Sequence, residues 1–213
     1  MLGFLALYMQ ELVGAAVDGR AARAIRTRNA VVDAMLDLVD EGHVRPPAAL
    51  IARRARVSLR SVYQHFDDLE TLFEVAAERH QERYAHLEPL PELPSRLEPR
   101  IRAYVEHKAR WLEAIAPMAR AAALQAPFSP GVASRLAAAW ERHSDTVAGA
   151  FAPELARGEQ RERVLNAAEV ATSWPAWESL RTTIGLSVQE AAAVVELTLY
   201  RLLTPQPGST DSR

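Results

Sequence analysis

Two short helical patterns within Ala48–Phe66 carry the side chains best suited to binding chemistry. Helical spacing predicts one helix over Ala48–Ala55 and another over Leu59–Phe66, joined by a tight turn. Their apolar residues fall on a shared seam, whereas Arg60 and Gln64 face outward. Because arginine can pair with guanine and glutamine with adenine through two hydrogen bonds each, this face has the chemistry of base recognition. The pattern therefore indicates a helix-turn-helix whose second helix enters the major groove of DNA.

The seam and the polar side chains of the second helix support the same interpretation. The predicted seam consists of Ile51, Ala55, Val57, Val62 and Phe66. Ala52 is small enough to let the two helices cross closely. Ser61 completes the outward face, and Tyr63, His65 and the Ser58 end of the helix suit phosphate oxygens. The alternative is an ordinary helical hairpin with a polar face, because short helix pairs are common.

The charge of the chain is unevenly distributed. From Arg20 to Phe66 the sequence has nine arginines and four acidic residues, a local charge of +5, whereas the whole chain carries −2. Local basicity suits a surface that binds a polyanion, although basic helices are more often simply solvated. With 49% hydrophobic and 24% charged residues, the composition is that of a folded globular protein, and 213 residues suffice for two domains.

Several classes of site are not expected. The sequence has no cysteine, so it predicts no disulfide, no thiolate nucleophile and no cysteine-based zinc site. Met1–Met9 is apolar, but Gln10, Glu11 and Asp18 follow too soon for a membrane span, and no signal-peptide cleavage motif is evident. We expect an extra helix or a frayed extension there, a cytoplasmic location, and neither a cofactor nor a metal.

The helix-turn-helix is expected to lie within a small helical domain. An apolar stripe predicts a preceding helix from about Ile25 to Glu41, which Gly42 ends. Ser58 is the expected N-cap of the second helix of the motif. Asp67-Asp68 is the expected cap of a further helix from Leu69 to about His86.

A proline-rich stretch separates this domain from the rest of the chain. Pro89, Pro91, Pro94 and Pro99 interrupt helical continuity, so we expect the domain junction between residues 88 and 99. Further helices are predicted over Arg100–Ile115, Met118–Gln125, Pro130–Phe151, Gly158–Thr183 and Ser187–Leu203. The expected fold is all-α, with an extension (1–22), a three-helix helix-turn-helix domain (23–87), the junction (88–99), a larger helical domain (100–204) and a disordered tail (205–213).

The motif and its flanks resemble the signature of the tetracycline-repressor (TetR) family. The resemblance rests on Ile51-Ala52, Ala55, Val57-Ser58, Val62-Tyr63 and His65-Phe66, followed by Asp67–Leu72. Near the C-terminus, Trp177–Arg181 and Gly185–Ser187 are also similar to that region of many members. The resemblance implies a transcriptional regulator with a helix-turn-helix DNA-binding domain. The implied contacts to double-stranded DNA are Arg26, Arg28, Ser58, Leu59, Arg60, Ser61, Tyr63, Gln64 and His65.

Two residues depart from the family pattern. Arg56 stands where the turn usually has glycine, and a left-handed backbone there would cost about 1 kcal/mol. Leu69 occupies a position that is commonly basic and close to a phosphate in relatives. One contact to the DNA backbone is therefore expected to be missing.

The resemblance also implies that the larger domain binds a small-molecule effector and forms a homodimer. Two recognition helices would then meet a palindromic operator about one DNA turn apart, and effector binding would release the protein. The candidate dimer contacts are Leu180, Val195, Leu199 and Leu202, each equally compatible with intramolecular core. The candidate effector-binding residues are Tyr104, Trp111, Phe128, Trp140, His143, Trp174 and Trp177, although such aromatic residues are usually core. Further polar contacts could come from His107, Arg110 and Arg120. Repression is favoured over activation only by the habit of the family.

Two other functional classes fit the sequence less well. An enzyme would need a recognisable constellation, but the sequence has no glycine-rich phosphate loop, no GxSxG and no HExxH. Its six histidines also lack a metal-ligand pattern. The second alternative is a helical ligand- or protein-binding module that has lost DNA binding, for which Arg56 and Leu69 are the only hints.

Overall fold

The computed structural model describes residues 2–156 and 160–204, with side chains from residue 19 onward. Within those residues the chain forms ten α-helices and no strand. They are α1 (Leu2–Asp40), α2 (Ala48–Arg54), α3 (Leu59–His65), α4 (Leu69–Tyr84), α5 (Leu97–Gln125), α6 (Pro130–Ala150), α7 (Ala152–Leu155), α8 (Arg161–Ala171), α9 (Trp174–Glu178) and α10 (Val188–Leu203). Short 3₁₀ turns follow α4 and α5, and a π-helical turn, Ser179–Thr183, follows α9.

The first helix is longer than the sequence pattern predicts. α1 runs without interruption from Leu2 to Asp40, so the predicted start at Ile25 was wrong and the extra helix is continuous with α1. The segment has no proline, and isolated glycines are tolerated inside a helix at modest cost. Gly42 ends the helix as expected, with a φ of 96° that favours glycine.

The next three helices agree with the prediction to within one or two residues. The predicted N-caps are confirmed as well. Ser58 Oγ accepts a hydrogen bond from the backbone N–H of Ser61 at 3.1 Å, and Asp68 Oδ1 accepts one from Thr71 at 2.7 Å. These side chains replace hydrogen bonds that the first turn of a helix cannot make internally.

Two helix boundaries in the C-terminal half differ from the prediction. α5 continues through Pro117, where the sequence predicted a break, because buried residues on both sides of the proline hold the helix in place. The helix predicted over Gly158–Thr183 is instead divided after Ala171. Ser173 caps a new helix by accepting from the backbone N–H of Ala176, and Pro175 suits its first turn. Residues 157–159, at the predicted start, lie outside the described part of the chain.

Residues 1–80 form the first of two compact units. Their core brings together α1, α2 and α3, with further buried residues from α4. The largest fully buried side chains there are Leu36, Leu38, Ile51, Leu72 and Phe73. Arg79 joins α4 to α1 through hydrogen bonds of 2.8 Å to Asn29 Oδ1 and to Asp33 Oδ1. The helix-turn-helix therefore rests on a continuous apolar base.

Residues 81–213 form the second unit, which includes the proline-rich segment. α5 packs against α6, α9 and α10 around a core that contains Tyr104, Leu112, Phe151, Trp177 and Leu199. A buried ion pair joins Arg100 to Glu154 at 2.5 Å. No helix of the described chain is both long enough and apolar enough to span a membrane.

Candidate nucleic-acid interface and effector cleft

The second helix of the motif, α3, is held by three of the five seam residues predicted from the sequence, while Ala55 and Val57 are half-buried. Ile51 is completely buried, and Val62 and Phe66 are almost so. Ala52 of α2 is also buried. Because these side chains fix one face of α3, the opposite face is presented to solvent in a defined orientation.

The exposed face of α3 brings together the residues proposed to contact bases and phosphates. Arg60 and Gln64 are exposed. Leu59 and Tyr63 are apolar or aromatic yet 45% and 50% exposed. Ser61 and His65, by contrast, are half-buried along the edge of the helix. The face thus combines Arg60 and Gln64, which can form hydrogen bonds to bases, with the exposed aromatic ring of Tyr63. This arrangement suits the major groove.

The two arginines of α1 predicted to contact DNA are placed differently from each other. Arg26 is exposed. Arg28 is half-buried, and its guanidinium carbon lies 4.9 Å from the centre of the Phe66 ring at the end of α3. This cation–π contact stabilises the position of the recognition helix against α1. Arg28 therefore has a structural role in addition to the proposed DNA contact.

A second anchor of the motif escaped sequence reasoning. Arg54, the last residue of α2, makes two hydrogen bonds of 2.8 and 2.6 Å to the carboxylate of Glu41, just beyond α1. The hydrogen bond from Arg54 is the main cause of a lowered pKa of Glu41. The pairing joins residues 13 apart in the sequence, and no periodic pattern signals such a contact.

The turn of the motif has a left-handed backbone at Arg56, the arginine that stands where the family pattern usually has glycine. Arg56 adopts a φ of 56°, and it is the only non-glycine residue with positive φ in the described chain. Its backbone N–H reaches the carbonyl of Arg53, and the next N–H, of Val57, reaches that of Ala52. Both bonds close the end of α2 in the geometry that a left-handed residue permits. The turn is thus preserved without glycine.

The aromatic residues predicted to bind an effector are divided among different environments. Tyr104 and Trp177 belong to the core, where Tyr104 packs edge-on against Phe151 with ring centres 5.1 Å apart. Burial raises the pKa of Tyr104, and Trp177 Nε1 donates to Glu113 at 2.7 Å. The structure therefore supports a role in the core for Tyr104 and Trp177, which was the alternative to effector binding.

The other candidates lie nearer the surface. Trp111 and His143 line one cleft in the second unit, and Trp140 stacks edge-on against His143 while remaining 42% exposed. Trp174 is half-buried. Phe128 is 79% exposed at the end of a 3₁₀ turn and does not line this cleft.

The cleft also contains residues that the sequence reasoning passed over or named only as possible polar contacts. It lies among α5, α6 and the segment preceding α5, and it includes Lys108, His107, Arg142 and Glu88. Lys108 was not predicted to be an effector-binding residue. The available signal was that it is the only lysine in the sequence. No group of three metal-ligating side chains occurs in the part of the chain that the structure describes.

The candidate dimer residues fall into two pairs. Val195 and Leu199, 5% and 0% exposed, belong to the core of their own unit, which is the alternative that the sequence left open. Leu180 and Leu202 are half-buried and pack against that core from its edge. The exposed apolar side chains of α10 are instead Val188, Val194, Leu197 and Tyr200.

Three solved structures are similar to this chain over most of their length. A transcriptional regulator from Rhodococcus sp. Rha1 has 16% identity and a TM-score of 0.63, over 84% of this chain and 95% of its own. A structure from Mesorhizobium loti, described as a TetR-family transcriptional regulator, has 18% identity and a TM-score of 0.59, over 85% and 96%. A TetR-family transcriptional regulator from Pseudomonas syringae pv. tomato has 25% identity and a TM-score of 0.51, over 83% and 94%. No family model and no curated protein matches the sequence significantly.

The chain has the fold of the TetR-family transcriptional regulators to which it is similar. The all-α fold and the family resemblance predicted from the sequence are thereby confirmed.

Proposed function

We propose that this protein is a cytoplasmic, homodimeric repressor that binds a palindromic operator through α3 and is released by a small-molecule effector. The observation that carries the proposal is the exposed face of α3. Arg60 and Gln64 project from a helix whose other face is locked by a buried seam. Such a helix can enter the major groove without rearrangement, so its side chains can read base edges directly.

The apolar side of α10 supports the dimeric part of the proposal. Val194, Leu197 and Tyr200 are 40%, 59% and 43% exposed. Exposed apolar residues grouped on one helix often mark a protein–protein interface. A symmetric contact through this side would give a dimer with two copies of α3, one for each half-site of a palindromic operator.

The proposed effector acts by favouring a dimer geometry in which the two recognition helices no longer match adjacent grooves. A coupling of about 1 to 3 kcal/mol, which is roughly 5- to 150-fold in affinity, is enough for a useful switch. Equal DNA affinity with and without a verified effector would contradict this part of the proposal.

The base-reading role of α3 is tested by substitution on a duplex recovered from source-genome fragments by the purified protein. Arg60→Ala and Gln64→Ala are each expected to weaken specific binding by about 1 to 3 kcal/mol and to relax base preference at one position per half-site. Arg53→Ala, an exposed arginine at the end of α2, is the matched control and should leave base preference intact. Unchanged base preference in both α3 variants would favour the module that has lost DNA binding.

A further inference from the structure

Lys108 is the only lysine in this sequence, which otherwise uses arginine for its basic side chains. It lies on α5 and is only 9% exposed. Lysine is normally a strongly hydrated surface cation and is rarely buried without a partner of opposite charge. The single lysine of the chain thus occupies the kind of position that lysine ordinarily avoids.

The contacts of Lys108 are those of a cation without an ion pair. Its Nζ lies 3.3 Å from Nδ1 of His143 and 4.3 Å from the centre of the Trp111 ring. His143 Nε2 lies 2.9 Å from the backbone carbonyl of Glu169. Because an ammonium group can only donate, these contacts fit a neutral His143 that accepts at Nδ1 and donates at Nε2. Among the described residues, no carboxylate lies within 4.0 Å of Lys108 Nζ.

The acidic side chain whose charge acts on Lys108, that of Glu88, is already paired with another cation. Glu88 lines the same cleft, and its Oε1 lies 3.4 Å from Nε of Arg142. Glu169 is turned to Ser144, whose hydroxyl donates to its carboxylate at 2.5 Å. Glu88 therefore balances the charge of Lys108 only from beyond direct pairing distance, and an anion that enters the cleft would complete the balance.

The cleft is open to solvent and lined for a small organic molecule. The enclosed part of the cleft has a volume of about 40 Å³, and the rest of it is open to solvent. Trp111 and Leu90 give it an apolar wall, while His107, Lys108, Arg142 and His143 give it four basic side chains against the one carboxylate of Glu88. Apolar walls with a few convergent polar groups are typical of small-molecule sites.

We infer that this cleft binds a small organic carboxylate, with the carboxylate on Lys108 and the apolar body against Trp111 and Leu90. The inference rests on the proposed function in that the bound carboxylate is the effector. An anion there gains a charge-assisted hydrogen bond in a site that is partly shielded from water. It also supplies a direct partner of opposite charge to a buried cation that has no ion pair.

The ionisation of the cleft agrees with this inference. Burial lowers the pKa of Lys108 to about 8, so at neutral pH the amine is still mostly protonated. Burial is also the main cause of the lowered pKa values of His107 and His143, and the charge of Lys108 adds to both. A bound anion favours the protonated form of every one of these groups, so it is expected to raise their pKa values.

The binding test uses the full chain without DNA and matched pairs of charged and neutral probes. Benzoate and phenylacetate are compared with benzamide and phenylacetamide, by tryptophan fluorescence and by thermal unfolding. The two carboxylates should give a saturable fluorescence change and raise Tm, and the two amides should bind at least tenfold more weakly. Equal responses to acids and amides, no response to either acid, or a stronger response to inorganic phosphate would overturn the inference.

Variants then locate the charge that is recognised. Lys108→Met keeps the length of the side chain and should weaken benzoate binding by about ten- to a hundredfold. Arg102→Met removes the same charge from an exposed position of α5 that does not line the cleft, and it should bind benzoate as the parent protein does. Equal affinity of the Lys108→Met variant and the parent protein would contradict the inference.

A direct readout is available because the chain has a single lysine. Reductive methylation with ¹³C-formaldehyde gives one dimethyl-lysine resonance beside that of the terminal amine, and its pH titration reports Lys108 alone. Benzoate should raise the pKa of this amine, and benzamide should leave it unchanged. An unchanged titration with bound benzoate would place the carboxylate elsewhere and overturn the assignment. None of these measurements involves DNA, so a failure of the proposed DNA-binding function would be recognised separately.

Discussion

Arg56 occupies a backbone conformation that arginine rarely adopts. Its φ of 56° crowds Cβ against the following carbonyl, which costs about 1 to 2 kcal/mol. Glycine has no Cβ but is more flexible in the unfolded chain, so Arg56→Gly should raise the free energy of unfolding by about 0.5 to 1 kcal/mol. Urea denaturation measures this change. The control Arg53→Gly, inside α2, should lower the same quantity by about 1 kcal/mol, and an equal loss in both variants would contradict the account.

His143 is expected to make stability depend on pH. Burial first, and then the charge of Lys108, lower its pKa below the ordinary value of 6.5, although Glu169 opposes this. As the pH falls from about 6.5, the unfolded chain takes up the proton before the folded chain does, so the free energy of unfolding falls. The stabilisation is therefore complete above pH 6.5 and is lost in acid.

Urea denaturation at pH 7.5 and pH 5.5 measures this loss. His143→Asn should reduce the difference between the two conditions. His86→Asn, at an exposed position outside the cleft, is the control and should retain it. A parent protein more stable at pH 5.5 than at pH 7.5 would argue against a buried, neutral His143.

The N-caps of α3 and α10 provide a test at the scale of elements. Ser58 caps α3 and Ser187 caps α10, where Glu190 completes a reciprocal capping box. Ser58→Ala and Ser187→Ala should each lower the free energy of unfolding by about 1 kcal/mol. Only Ser58→Ala should also weaken DNA binding, because α3 is the recognition helix. Similar losses of DNA affinity, measured by fluorescence anisotropy, would show that the order of α3 does not control binding.

Elements defined by local chemistry could be predicted from the sequence. Ser58 and Asp68 cap their helices as expected. Three residues of the predicted seam, Ile51, Val62 and Phe66, are buried, whereas Ala55 and Val57 are only half-buried. The continuation of α5 through Pro117 could not be predicted, because tertiary packing outweighs the local cost of a proline.

Contacts between residues far apart in the sequence could not be predicted from the sequence pattern either. The pairing of Arg54 with Glu41 and the placement of Lys108 beside His143 bring together side chains from different helices or turns. The burial of Val195 and Leu199 in the core of their own unit could not be predicted either, because an apolar stripe does not reveal which surface covers it. These features depend on how the helices pack, and helical spacing alone does not specify that.

At the scale of the whole molecule, the exposed side of α10 should control assembly. Leu197→Glu places a charge at a side chain that is 59% exposed, and burial of that charge in a dimer would be unfavourable. We expect the variant to sediment as a monomer. Leu124→Glu is a matched control, since Leu124 on α5 is also 59% exposed, and it should remain dimeric. A dimeric Leu197→Glu variant would place the interface elsewhere.

The proposed function is that this protein recognises a specific DNA sequence as a dimer. It is tested most directly by selecting bound fragments from sheared source-genome DNA and measuring their affinity at several salt concentrations. We expect enrichment of an inverted repeat, with half-sites about one DNA turn apart and binding that weakens as salt increases. Weak binding without sequence preference would contradict it.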